Sequence, residues 1–314
     1  MSRDADRRLK RLERLERLKS GHETACLNRV KVHTKGLRPS KVHLRQELIV
    51  APSGDRSPLS SLITPRGIAL QMYLVALFDA QCRHRPGSAF RNDRALHGTE
   101  EGEIGWLELL AADASASTET SVERATELDN RLRQAKSAVR ALAASNLARL
   151  AGEATRHGRF ERFELGHESG SQPFLPYTVP QHDWFRRLSL PSGFFLKGWV
   201  HVLLPAEIAT YLMLRHLAAT YPGRHREGGV FVAGSVREAE YGLSRDVYEA
   251  HRALTAFRLI DRVPDERRRP DGRLRNYKEF AARDDGAGLP AHRFRVVADI
   301  SLNRDALEVV AKRL

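Results

Sequence analysis

Cysteine is almost missing from this 314-residue chain: Cys26 and Cys82 stand far apart, without Cys-x-x-Cys spacing. That argues against a disulfide framework or a zinc finger and makes a reducing cytoplasm the expected setting. No run of eighteen apolar residues occurs, and the basic N-terminus is not followed by an apolar signal segment, so no membrane association is expected. The common catalytic signatures are absent as well. There is no Gly-x-x-x-x-Gly-Lys-Ser/Thr loop, no Gly-x-Gly-x-x-Gly after a strand, no His-Glu-x-x-His and no Gly-x-Ser-x-Gly. His201, His216, His225 and His251 fit no metal-ligand spacing. The expectation is a protein that is not an enzyme and carries no cofactor.

Lysine is scarce too, nine residues against 43 arginines, which fits the codon usage of a GC-rich genome and supplies planar forks for phosphate. Positive charge is what the chain has in excess. Lys and Arg number 52 against 39 Asp and Glu, for a net charge of +13 and a pI near 10.2. That balance points to a polyanionic partner such as nucleic acid. With 41% apolar residues and this length, two domains can each bury a core.

Residues 1–58 read as a basic helical arm, with 14 Lys/Arg against 5 Asp/Glu up to Arg45. Leu9, Leu12, Leu15 and Leu18 recur every third position, which drifts around a helix and gives no clean heptad seam. A first domain is expected over 59–168. Thr64-Pro65 signals a helix start, Ile104 to Ala112 a second helix and Ser121 to Leu150 a long third one. His157-Gly158 then turns into an alternating strand, Arg159 to Leu165. Residues 169–191 read as a linker whose Phe174, Tyr177, Trp184 and Phe185 pin it to a core. A second domain, 192–314, opens with an expected strand over Gly193 to Leu203 and a helix from Pro205 to Tyr221. A short helix to Tyr241 follows, and Gly242 makes the turn into the next helix. A strand over His292 to Ile300 and a final helix from Asn303 close the chain.

The stretch Leu243 to Lys278 carries the strongest functional signal. Ser244 caps a helix whose core face is Val247, Ala250, Leu254 and Phe257, leaving Ser244, Arg245, Tyr248, Glu249 and Arg252 outward. Leu259 to Val263 alternates like a strand, Pro270-Asp271-Gly272 is a turn, and Leu274 to Phe280 returns. This expected hairpin bears Arg262, Arg267, Arg268, Arg269, Arg273, Arg275 and Lys278.

Short helix, turn, capped helix and basic hairpin, in that order, resemble the winged-helix superfamily of DNA-binding domains. The order recurs in the first half, so the expected fold is α+β, mostly helical, with two tandem winged-helix-like domains and the N-terminal arm. That arrangement resembles plasmid replication initiators or transcriptional regulators of actinomycetes. The resemblance implies double-stranded DNA as partner, a homodimer, and a cytoplasmic, nucleoid-associated location. It implies that, beside Ser244, Arg245 and Arg252 donate to guanine or phosphate and Tyr248 meets the backbone or a thymine methyl, while the hairpin arginines follow the phosphates or enter a narrow minor groove. Asp246 and Glu249 repel phosphate, so the hairpin is assigned to affinity and the helix to specificity. Arg133, Lys136 and Arg140, sharing one face of the long helix, are further candidate contacts. The function expected is transcriptional regulation; replication initiation at origin repeats and a protein-interaction module are the alternatives.

Overall fold

In the computed structural model, residues 3–51, 56–63, 67–100, 102–111, 121–152, 158–181, 187–225, 228–269, 273–278 and 291–314 are described. The fold is α+β and mostly helical, with three two-stranded antiparallel sheets among these residues. A first helix, α1 (Arg3–Lys35), runs 33 residues because nothing interrupts it: the span holds no proline and only Gly21. It is not a loose arm. Arg11, Leu15, Leu18, His22, Ala25, Arg29 and Val32, at alternating steps of four and three, are buried.

Strand β1 (Lys41–Arg45) pairs antiparallel with β4, and between them in sequence lie α2 (Pro58–Ser61), α3 (Ala69–Arg83), α4 (Trp106–Leu109), α5 (Ser121–Ala144), β2 (Ala148–Arg149) and β3 (Glu164–Leu165). Strand β4 is Arg187–Pro191. Helix α3 is the centre of this half; all its residues except Arg83 are buried, the polar Gln71, Asp79 and Gln81 included. Its Gln81 side chain accepts from the His43 N–H at 2.8 Å and donates to the His43 carbonyl at 2.7 Å, completing the free edge of β1.

Short helices α6 (Gly193–Leu196) and α7 (Trp199–Val202) follow, then α8 (Pro205–Thr220), α9 (Pro222–His225), α10 (Gly234–Tyr241), α11 (Arg245–Tyr248) and α12 (His251–Ala256). Strand β5 (Ile260–Arg262) pairs with β6 (Phe294–Val296), and α13 (Ala306–Ala311) ends the described chain. Val230 bridges Phe294, which places the Phe294 strand between Val230 and β5.

Several expectations are revised by burial. The segment expected as a strand over 193–203 is α6 and α7, split at Gly198 (φ 79°), where a side chain would strike the His22 ring. A run buried on every side has no periodicity to distinguish strand from helix. The expected linker 169–191 ends in β4, which pairs with β1 from the expected arm. Apart from a small cluster of Leu18, Ala25 and Ala111, the buried apolar side chains form one continuous cluster reaching from Leu15 to Val310, through both expected domains. The helix start expected at Thr64-Pro65 and the turn at 270–272 lie outside the described residues.

Candidate nucleic-acid interface

The capped turn between α10 and α11 is held from three directions. Gly242 takes the left-handed conformation (φ 65°) that ends α10, and Ser244 Oγ accepts from the Val247 N–H to start α11. The Arg237 guanidinium donates to the Leu243 carbonyl at 2.8 Å and lies 5.1 Å over the Tyr248 ring. From the other half, the Ala51 N–H and the Ser57 hydroxyl donate to the carbonyls of Glu240 and Tyr241, at 2.6 and 2.8 Å. The last carbonyls of α10 are thus capped by residues almost two hundred positions upstream.

The expected continuous helix is two, α11 and α12. Ala250 and Arg252 donate to carbonyls three positions back, and the His251 Nδ1–H donates to the Tyr248 carbonyl at 2.7 Å, which tightens the joint. As a result the core stripe is Leu243, Tyr248, His251, Leu254 and Phe257. Tyr248, expected to face DNA, is only 8% exposed, and its hydroxyl has no hydrogen-bond partner among the described residues. Burial pushes that phenol up to about 12. It is a core residue. Ser244, Arg245 and Arg252 are exposed; Arg245 has no ion-pair partner among the described residues, and Arg252 pairs with Glu249 at 2.8 Å.

The basic hairpin is larger than expected. Its base is β5 with β6, because Phe294 is the apolar residue that the core takes up opposite Arg262; of the expected return Leu274–Phe280, Leu274 bridges Arg268 and residues 279 and 280 lie outside the described residues. The turn region remains. Arg268 bridges Leu274, the Arg269 N–H donates to the Arg273 carbonyl at 2.8 Å, and the Arg275 N–H to the Arg267 carbonyl at 2.9 Å. Arg267, Arg269, Arg273, Arg275 and Lys278 are exposed, while Arg262 and Arg268 are half-buried. Asp265 grips Arg267 through two hydrogen bonds, at 2.8 and 3.0 Å, which hold its carboxyl below the usual range.

Between the hairpin and its base lies a cavity of about 350 Å³ lined by Arg262, Arg268, Arg269, Arg275, His292 and Arg293, with Asp265 and Glu266 on the same wall. His292 and Arg293 join the site only because β6 is the returning strand. Placing the return at 274–280 hid them, and Phe294 flanked by His292, Arg293 and Arg295 is the signal that could have found them.

In the other half, Arg133 and Arg140 are exposed on α5 and Lys136 is half-buried. Arg133 donates to the Asn130 side chain at 2.5 Å, and Arg140 lies 4.7 Å over the Phe160 ring. The structure gathers Arg262, Arg268, Arg269 and Arg275 of the hairpin around one cavity, while Arg267 faces another.

Comparison with protein-family models, with curated proteins and with solved structures finds no match for this chain.

Proposed function

We propose that the protein binds double-stranded DNA with sequence preference through a winged helix built from α8, the strand at Val230, α10, α11/α12 and the β5–β6 hairpin. Its most direct use is transcriptional regulation. One observation carries the reading: a clamped helix-turn-helix presents Arg245 and Arg252 to solvent, immediately before a hairpin bearing exposed Arg267, Arg269, Arg273 and Arg275. Guanidinium forks suit phosphates and guanine edges, so the hairpin supplies affinity and the helix supplies choice. Among the cavity-lining residues of the hairpin, only Asp265 and Glu266 carry negative charge against the arginines.

A second reading is replication initiation, favoured by one observation. Three helices, α3, α4 and α5, also precede a strand pair, β2 with β3, in the first half. A tandem of such units suits repeated origin sites. The test is anisotropy of a labelled random duplex titrated with salt. The DNA reading expects log K to fall linearly and steeply with log salt; flat or absent binding overturns it. Selection of bound genomic duplexes then separates an operator from origin repeats.

A further inference from the structure

The cavity at the base of the hairpin is built for an anion. Five guanidinium groups line it against two carboxylates, Asp265 and Glu266. Asp265 is already engaged by Arg267 and lies 3.7 Å from Arg268. Two polar atoms here are buried without hydrogen-bond partners among the described residues: Nδ1 of His292 and Nε of Arg262. The Arg262 Nε–H is a buried donor left unmade, which is costly and calls for an acceptor, and Nδ1 of His292 becomes a second donor once the ring is protonated. A tetrahedral phosphate accepts from several directions at once, which suits guanidinium groups arriving from β5, from the hairpin and from beside β6.

Three arginines and the rings of His251 and Phe294 surround the ring of His292. His251 stands 5.2 Å away, between ring centroids, with its Nδ1–H committed to the Tyr248 carbonyl. Arg252 approaches from α12 with Glu249 as its partner, Arg262 from β5 and Arg268 from the hairpin; the Tyr248 and Phe294 rings back the cluster. Burial and this ring of arginines hold the imidazole down at about 4, so it is neutral at physiological pH. An anion among these arginines would offset their field and offer an acceptor for the imidazolium.

We propose that this cavity seats one phosphate group and that His292 takes up a proton as the phosphate enters. The phosphate belongs to the duplex backbone if the DNA reading above holds, and on that reading this source rests. A free phosphate compound is the other source of the same chemistry. Binding is then linked to proton uptake and tightens as pH falls. If the bound imidazole returns to its ordinary value near 6.5, affinity rises about tenfold between pH 7.5 and pH 5.5.

The experiment measures duplex affinity at constant ionic strength from pH 7.5 to 5.5 for the full chain and for His292→Gln. In parallel, the His292 ring is titrated by NMR with and without sulfate, a dianion that does not itself titrate in this range. The expected result is a pH slope in the wild type that His292→Gln loses, and a His292 midpoint raised by sulfate. Arg269→Ala, at an exposed position, should shrink the sulfate-induced rise and keeps the test valid if His292→Gln does not fold. Duplex binding without a His292-dependent slope overturns the inference and leaves the DNA reading standing. Failure to bind duplex, with a midpoint that sulfate still raises, sinks the DNA reading and assigns the cavity to a free phosphate. If neither duplex nor sulfate moves His292, the inference is wrong.

Discussion

Arg237 on α10 lies 5.1 Å above the ring of Tyr248 on α11 and donates to the Leu243 carbonyl between them, so one side chain fixes both helices about their turn. The Tyr248 hydroxyl gains nothing from this arrangement, being buried without a partner among the described residues. Tyr248→Phe is therefore expected to leave duplex binding intact and to be neutral or stabilising, since an unsatisfied buried polar group costs about 1–3 kcal/mol. Arg237→Ala should destabilise by a similar amount. Urea unfolding checks both; a Tyr248→Phe variant with weakened DNA affinity would return the tyrosine to the interface.

Replacing Arg267, Arg269 and Arg273 by alanine should weaken every duplex alike and lower the salt slope by about 1 for each phosphate no longer neutralised. Arg245→Ala should instead cost about 1–3 kcal/mol on the preferred sequence and little on random DNA. Equal losses on both sequences for Arg245→Ala would move it from base edge to phosphate.

Glu168 is fully buried and accepts from the Arg45 guanidinium at 2.5 Å and from the Arg45 N–H at 3.2 Å. Removing one partner strands the other, so Glu168→Ala should cost roughly 3–5 kcal/mol. Because the apolar core is continuous, the loss should appear as one displaced unfolding transition seen alike by tryptophan fluorescence and circular dichroism. Two separated transitions would show instead that the halves unfold independently.

Acid should unfold the protein before its carboxylates titrate. Burial holds His22, His216 and His251 below the ordinary imidazole range and His201 far below it. His201 Nε2 accepts from Arg29, which requires the neutral ring. The unfolded chain takes up protons near pH 6.5 and the folded one only lower, so this stability is fully present above pH 6.5 and drains as pH falls below it. Thermal midpoints from pH 8 to 4.5 should fall in that window. A flat profile would mean that these rings protonate without leaving the core.

Helix α8 is legible in the sequence because Pro205 starts it and Ile208, Leu212 and the residues around them form a stripe. The α10 turn is legible for the same kind of reason, since Gly242 and Ser244 are residues whose local chemistry dictates the backbone. The packing face of α1 is hidden because three of its seven seam positions are Arg11, His22 and Arg29. Those arginines cap helix ends: Arg11 donates to the Val202 carbonyl at 2.8 Å, and Arg29 to the carbonyls of Phe195 and Leu109, at 2.9 and 2.6 Å. A carbonyl partner leaves no mark in sequence. Arg11, Arg14 and Arg29 of the expected arm are therefore internal scaffolding, while most of its other basic residues, such as Arg7, Arg8, Arg17 and Lys31, are exposed. The cavity residues His292 and Arg293 depend on which strand returns to β5, a long-range choice made by the burial of Phe294.

The pairing of β1 with β4 joins residues such as His43 and Ser189, 146 positions apart. At about 5–20 residues per second, the ribosome delivers β4 roughly 7 to 30 s after β1. Throughout that interval β1 lacks its partner strand, and Arg11, Arg14 and Arg29 lack the carbonyls of α6 and α7 that they cap. The N-terminal third must therefore wait, exposed, for the second half to be made.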